Sequence, residues 1–390
     1  MKICFFVDSI FSYGGVQRIT AVIARYFASE HEVTILTLDD PLSEDTTLYE
    51  LNTVNIKFEY FSYPEIPKHV NVWNKIYSGL YKFFKPSNRW MSDLYGVSSF
   101  SKRKQQVLIE VLNRKDYDVI IGVHAFLSLR LASIRTQLTC PRVIGWMHNS
   151  YQALFEMKDP YLPNLKHHFA HHMKYLDDIV VLCKNDQALF KKHLDLHVEY
   201  IYNPVTLQPG DVANVANKRF LTVGRLTPVM KGFDVLIKAF SIFAQNNHDW
   251  TLEIVGEGPD EDNVKKWIDE SGVAHRIILS PFTKDIQKHY SGASVYILPS
   301  RWEGMPLVLM EALSHGLPVI CSDLPVCEEL LGNTSYTKIF PTANVSLLAE
   351  AMKYMANADL GSMQGECLNK AMEFSLDNIA KKWIKVLTIK

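Results

Sequence analysis

The chain has 390 residues, 47% of them hydrophobic, and a formal net charge of −1. That length favours two domains, each large enough to bury its own apolar centre, and it excludes a small stapled scaffold. Near-neutral charge offers no whole-molecule argument for nucleic acid. The six cysteines, Cys4, Cys140, Cys183, Cys321, Cys327 and Cys367, are scattered with no C-x-x-C pair, as expected of free thiols in a reducing, cytoplasmic compartment.

In chain order, residues 2–9 read as a buried strand rather than a signal peptide, because the apolar start soon meets Gly14 and Gly15 and then an amphipathic stretch. A helix over 16–29 and a strand over 32–38 complete a βαβ unit. Short apolar runs at 119–123, 143–146 and 179–182 continue the pattern of a parallel sheet covered on both faces. No apolar run approaches the roughly 18 residues needed to span a bilayer. Residues 203–218, with Pro204, Pro209 and Gly210, break the alternation and read as a linker. The alternation restarts at 220–223, 251–255, 277–279, 295–298 and 319–321, which predicts a second doubly wound domain. The expected division is 1–204 and 205–372, with a final helix at about 373–390 able to pack back on the first domain.

The densest signal is Ser300-Arg301-Trp302-Glu303-Gly304-Met305-Pro306-Leu307-Val308-Leu309-Met310-Glu311, which runs on to His315-Gly316. Pro306 suits a first helical position and Gly316 a C-terminal cap, so a short helix is expected between Glu303 and His315. Apolar residues surround Glu311, so its carboxylate needs donors: a ribose diol would supply two, and a structural hydrogen bond to backbone would also serve. Pro306 to Glu311 rises roughly 8 Å at about 1.5 Å per residue, comparable with the span from a diphosphate to its ribose. The free N–H groups of the first turn would face phosphate.

This pattern resembles the E-x7-E element of retaining GT-B glycosyltransferases, family 4 in particular. Val223-Gly224-Arg225-Leu226 followed by Lys231-Gly232 is similar to the family's diphosphate clamp. Ile254 through Pro259 resembles its second glycine-rich strand end, Gly14-Gly15-Val16-Gln17-Arg18 its N-terminal loop, and Asn203-Pro204-Val205 its hinge. The resemblance implies an α/β GT-B fold, with two Rossmann-like doubly wound domains facing a central cleft, the first binding acceptor and the second a nucleotide sugar. It implies a catalytic set of His148, Glu303, Arg225 and Lys231. It implies donor binding by Gly15, Arg225, Lys231, Glu303, Gly304, Met305, Pro306, Leu307 and Glu311. Either cation alone reads as a solvated charge; together, after a strand and before a helix, they suit the charge gained by a departing diphosphate. Gly15 lets backbone approach phosphate, or simply makes a tight turn. The resemblance makes His148 a sugar-orienting or transition-state residue, although a core histidine fits that position as well.

The implied activity is retaining transfer of a hexose or N-acetylhexosamine from a nucleotide diphosphate sugar, UDP by the family's habit, to a glycan or lipid-linked acceptor in bacterial surface polysaccharide synthesis. No cofactor and no divalent metal are implied, because the cations and the helix start replace the metal. An epimerase of the same fold and a non-catalytic partner subunit remain alternatives. A dinucleotide oxidoreductase is disfavoured, since no G-x-G-x-x-G follows the first strand. The run His167-His168-Phe169-Ala170-His171-His172 lacks the internal glutamate of H-E-x-x-H and is expected to be a solvated helix face rather than a metal site. Residues 67–104 carry eight lysines and arginines against the single acid Asp93, interleaved with aromatic rings. They either lie at an anionic membrane surface, making the protein peripheral on the inner face of the plasma membrane, or form a partly buried helix pair with snorkelling lysines.

Overall fold

A computed structural model describes residues 1–65, 67–86, 88–207 and 210–388, so Pro209 of the expected linker and the last two residues lie outside the described residues. The chain forms two compact units, Met1–Asn203 with Ile379–Lys390, and Pro204–Asn378.

The first unit holds a parallel sheet of β1 (Lys2–Val7), β2 (Glu32–Thr37), β3 (Ile56–Tyr60), β4 (Val119–Val123), β5 (Arg142–Trp146), β6 (Asp178–Val181) and β7 (Glu199–Tyr200), in the order β3-β2-β1-β4-β5-β6-β7. In β1 every residue after Lys2 is buried, as a strand covered on both faces requires. Its Phe5 sits between Ile35 of β2 and Ile121 of β4. The helix Gly15–Ala28 buries Ile19, Ile23 and Phe27 at a spacing of four, which places them on one face. The C-terminal helix Leu376–Leu387 contributes Ile379, Ala380, Trp383 and Val386 as a single apolar stripe. Trp383 meets the Trp146 ring edge-on, with centroids 4.7 Å apart.

The second unit repeats the plan with β8 (Arg219–Val223), β9 (Thr251–Val255), β10 (Ile277–Ser280), β11 (Val295–Leu298), β12 (Val319–Ser322) and β13 (Thr337–Phe340), in the order β10-β9-β8-β11-β12-β13. In each sheet the strand order reverses once, between β1 and β4 and between β8 and β11. The carboxyl ends of those strands are the usual ligand position in open parallel sheets.

Three strands fall outside the sequence expectation. β7 is two residues long, β13 is preceded by no marked apolar run, and β3 alternates Ile56, Phe58 and Tyr60 with Lys57 and Glu59 as a charged sheet edge does. The expected solvated histidine face is also corrected: in the helix Lys166–Met173, His168 and His172 are buried. The helix Arg89–Ser99 lies on them because Gly96 has no side chain; a Cβ there would stand 3.3 Å from His168 Cε1. Ser92 Oγ lies 2.9 Å from His168 Nδ1. Burial, helped by neighbouring His172, pulls His168 down to about 3, so it is neutral. Among the described residues no group of three or more His, Cys, Asp or Glu is placed to hold a metal.

Because Trp383 is fully buried, Trp383→Ala is predicted to cost about 3–5 kcal/mol of the first unit's stability. Denaturant unfolding followed by tryptophan fluorescence checks this, and a loss under about 1 kcal/mol contradicts the packing described.

Candidate functional site

The switch point of the second sheet gathers most of the residues singled out in the sequence. Val223 ends β8, and the loop from Gly224 to Gly232 leads to the helix Phe233–Ala244. Leu298 ends β11, and the loop from Pro299 to Pro306 leads to the helix Leu307–Ser314. These neighbouring strands bring Lys231 and Glu303 into an ion pair of 2.7 Å, largely shielded from solvent. Ser300 Oγ donates to the same carboxylate oxygen at 2.7 Å. The Lys231 stem lies over Gly224, whose missing Cβ would stand 3.5 Å from Lys231 Cε. Arg225, next along the chain, is exposed.

Two glycines make this geometry possible. Gly232, at φ +68, begins the helix that follows, and a Cβ there would fall 2.1 Å from the Pro299 carbonyl oxygen. At Gly256, φ +151, a Cβ would fall 2.0 Å from the Gly224 carbonyl oxygen. In the same loop Val229, a β-branched residue, takes a left-handed conformation at φ 65, an arrangement that persists only when its surroundings impose it. Arg301 imposes it. Its Nη1 donates to the Val229 carbonyl at 2.6 Å, and its backbone N–H donates to the Met230 carbonyl at 2.8 Å. Its guanidinium grips Asp234 with two parallel bonds of 2.9 and 2.7 Å. Burial opposes ionisation of Asp234, but the Arg301 hydrogen bonds and charge outweigh it and hold the carboxyl below its ordinary range. One side chain thus ties the loop that carries Lys231 to the loop that carries Glu303.

Gly304, Met305 and Pro306 follow Glu303, and Pro306 caps the helix rather than occupying its first turn, so Leu307 is the first helical residue. This corrects the expected helix start by one position. Gly316, at φ 75, ends the helix as expected. Glu311 is 1% exposed. Tyr290 Oη donates to its Oε2 at 2.9 Å and Thr206 Oγ1 to its Oε1 at 3.0 Å, so hydroxyl groups serve this buried carboxylate. His315 stacks on Tyr290, and its Nδ1 lies 2.8 Å from the Glu311 carbonyl oxygen.

Gly15 and His148 belong to the first unit. Gly15 opens the helix Gly15–Ala28, and the preceding Gly14 N–H donates to Tyr49 Oη at 2.9 Å. His148 follows β5, with its ring against Trp146 at 4.3 Å. Its Nε2 is buried and has no hydrogen-bond partner among the described residues. Burial, with a smaller contribution from nearby His124, pulls His148 down to about 3, so the ring is neutral at ordinary pH. The switch point of the first sheet carries a pair that sequence reading missed. Asp8, just past β1, lies 3.1 Å from Nε2 of His124, which follows β4 at φ 61. Also missed were Tyr290, Thr206, Ser300 and the Arg301–Asp234 brace.

Residues 209–370, within the second unit, match the family described as Glycosyl transferases group 1. The chain is 24% identical to an uncharacterized glycosyltransferase of Haemophilus influenzae over 99% of both chains. It is also 24% identical, again over 99% of both, to the N-acetylgalactosamine-N,N'-diacetylbacillosaminyl-diphospho-undecaprenol 4-alpha-N-acetylgalactosaminyltransferase of Campylobacter jejuni. Among solved structures it resembles Anabaena HepE in complex with UDP-glucose, with a TM-score of 0.73, 18% identity and 99% of both chains covered. The fold is GT-B, two Rossmann-like α/β units, and the findings support a glycosyltransferase.

If Arg301 holds the strained loop through Asp234, Arg301→Ala and Asp234→Ala should each speed amide exchange at residues 229–232 about ten-fold, and the double variant should add little to either. Losses that simply add would show that the two side chains act independently.

Proposed function

We propose that the second unit binds a UDP-sugar and that the protein transfers its hexose or N-acetylhexosamine, with retention of configuration, to a hydroxyl of a glycan or lipid-linked acceptor in bacterial surface polysaccharide synthesis. The observation that carries this reading is the Lys231–Glu303 pair at the switch point of the second sheet, beside exposed Arg225 and the start of the helix that bears Glu311. Arg225, Lys231 and the first-turn N–H groups of Leu307 and Val308 supply fixed positive charge for a diphosphate. Glu303, with Gly304, Met305 and Pro306 beside it, is assigned to the sugar hydroxyls. Glu311, about one helical turn beyond Leu307, is assigned to the ribose diol, whose two hydroxyl donors match the kind of group the carboxylate already accepts from.

In this reading the acceptor oxygen bonds to the anomeric carbon on the face the diphosphate leaves. The bond from that carbon to the phosphate oxygen breaks, and the departing phosphate oxygen takes the acceptor proton. The charge that develops on the leaving group falls to Arg225 and Lys231, and no divalent metal is required. On the first unit, Gly15 leaves room for a close backbone approach. His148 offers a neutral Nε2 as a sugar-orienting hydrogen-bond group, since a ring pulled to about 3 carries no charge at neutral pH. Two of the similar proteins favour these choices: the Campylobacter enzyme is named for a diphospho-undecaprenol acceptor and the HepE structure holds UDP-glucose.

A nucleotide-sugar panel tests the assignment by thermal stabilisation. A UDP-sugar at 100 times its dissociation constant should add about 2.7 kcal/mol, and Glu311→Ala or Lys231→Ala should remove most of that gain and lower turnover about 10²–10³-fold. Wild-type binding and turnover in both variants overturns the site. A β-linked product from an α-linked donor overturns retention.

A further inference from the structure

The helices Lys68–Phe84 and Arg89–Ser99 are amphipathic in the wrong sense for a free protein surface. Their inner faces meet through Tyr81 stacked on Tyr95 at 4.5 Å, a Tyr77 Oη bond to the Met91 carbonyl, and Ser78 against Ser98. That joint face is mostly aromatic and hydroxyl. At about 3.6 residues per turn, the outer face of the first helix aligns Val72, Trp73, Ile76, Leu80, Phe83 and Phe84, all exposed, with Trp73 at 70% and Phe83 at 78%. Trp90, Leu94 and Val97 form a second exposed stripe on the shorter helix, at spacings of four and three. A continuous apolar surface of this kind on a water-soluble fold marks something that covers it.

Lys68, Lys75 and Lys82 recur every seven residues and so form a row along one flank of the longer helix, adjoining its apolar stripe. Lys85 and Arg89 add positive charge where the helices join. The one acid in the segment, Asp93, is approached by Arg89 and by His172 Nε2. An apolar stripe ending in tryptophan and phenylalanine and flanked by lysines is complementary to a lipid interface with anionic headgroups: rings enter the acyl boundary and ammonium groups meet phosphate. A second copy of the chain would bring the same lysine row against itself.

We propose that the outer face of this helical hairpin seats the first unit on an anionic phospholipid bilayer, lying in the interface rather than crossing it. No described helix is long and apolar enough to cross a membrane. The surface lies in the first unit and does not depend on the donor residues of the second, so nucleotide binding by the same preparation reports separately on that site.

The full chain is sedimented with large unilamellar vesicles of phosphatidylglycerol and phosphatidylethanolamine, or of phosphatidylcholine alone. The expected result is binding to the anionic vesicles, about ten-fold or more weaker binding to the zwitterionic ones, and loss with rising salt. Phe83→Ser with Phe84→Ser, and Lys75→Glu with Lys82→Glu, should each reduce anionic binding at least about ten-fold while leaving circular dichroism unchanged. In the wild type, brominated lipid should quench part of the tryptophan fluorescence, and Trp73→Phe with Trp90→Phe should remove most of that quenching. Absence of binding and quenching with anionic vesicles overturns the proposal, as does a dimer in light scattering that Phe83→Ser dissolves when vesicles do not bind.

Discussion

The ion pair between Lys231 and Glu303 is the contact on which the proposed chemistry depends. It joins two loops that belong together only because β8 and β11 are neighbours in a sheet whose order reverses between them. Without that topology the two residues are merely 72 positions apart in sequence. The pair is shielded from water, so removal of either partner leaves an uncompensated charge, which costs more than the pair itself contributes. A lysine has three donors, however, and Glu303 together with the rest of the site uses only part of that capacity. Lys231 can therefore keep its carboxylate and still meet a phosphate oxygen.

Holding this arrangement has a cost, and the structure places it in the Lys231 loop. A left-handed valine is unfavourable locally, and the Arg301 fork, itself held by the Asp234 carboxylate, imposes it from outside, while Gly232 takes its positive φ freely and leaves room for the Pro299 carbonyl. Such preorganisation is what a cation needs if it is to stabilise developing charge without first moving. Glu311 is held in the same way in the middle of the helix Leu307–Ser314. Buried among apolar side chains, it is kept in place by Tyr290 and Thr206, both hydroxyl donors.

The two doubly wound sheets were legible in the sequence because a parallel sheet covered on both faces needs nearly continuous apolar runs, and β1, β4 and β11 are such runs. β3 was not legible, because an edge strand mixes charge with its apolar residues. In the site, Arg225, Lys231, Glu303 and Glu311 were legible as residue types at strand ends and along one helix. Tyr290, Thr206 and the Arg301–Asp234 brace were not, since each acts through a partner distant in sequence and carries no local pattern. The histidine run misled for the same reason: its helix looked solvated until Gly96 of another helix allowed that neighbour to cover it.

The most direct measurement is a crystal structure of the full chain with a non-transferable UDP-sugar analogue. The account predicts the diphosphate within hydrogen-bond reach of Arg225, Lys231 and the Leu307 N–H, and the ribose hydroxyls on Glu311. A nucleotide bound anywhere else, with the Lys231–Glu303 crevice empty, would contradict it.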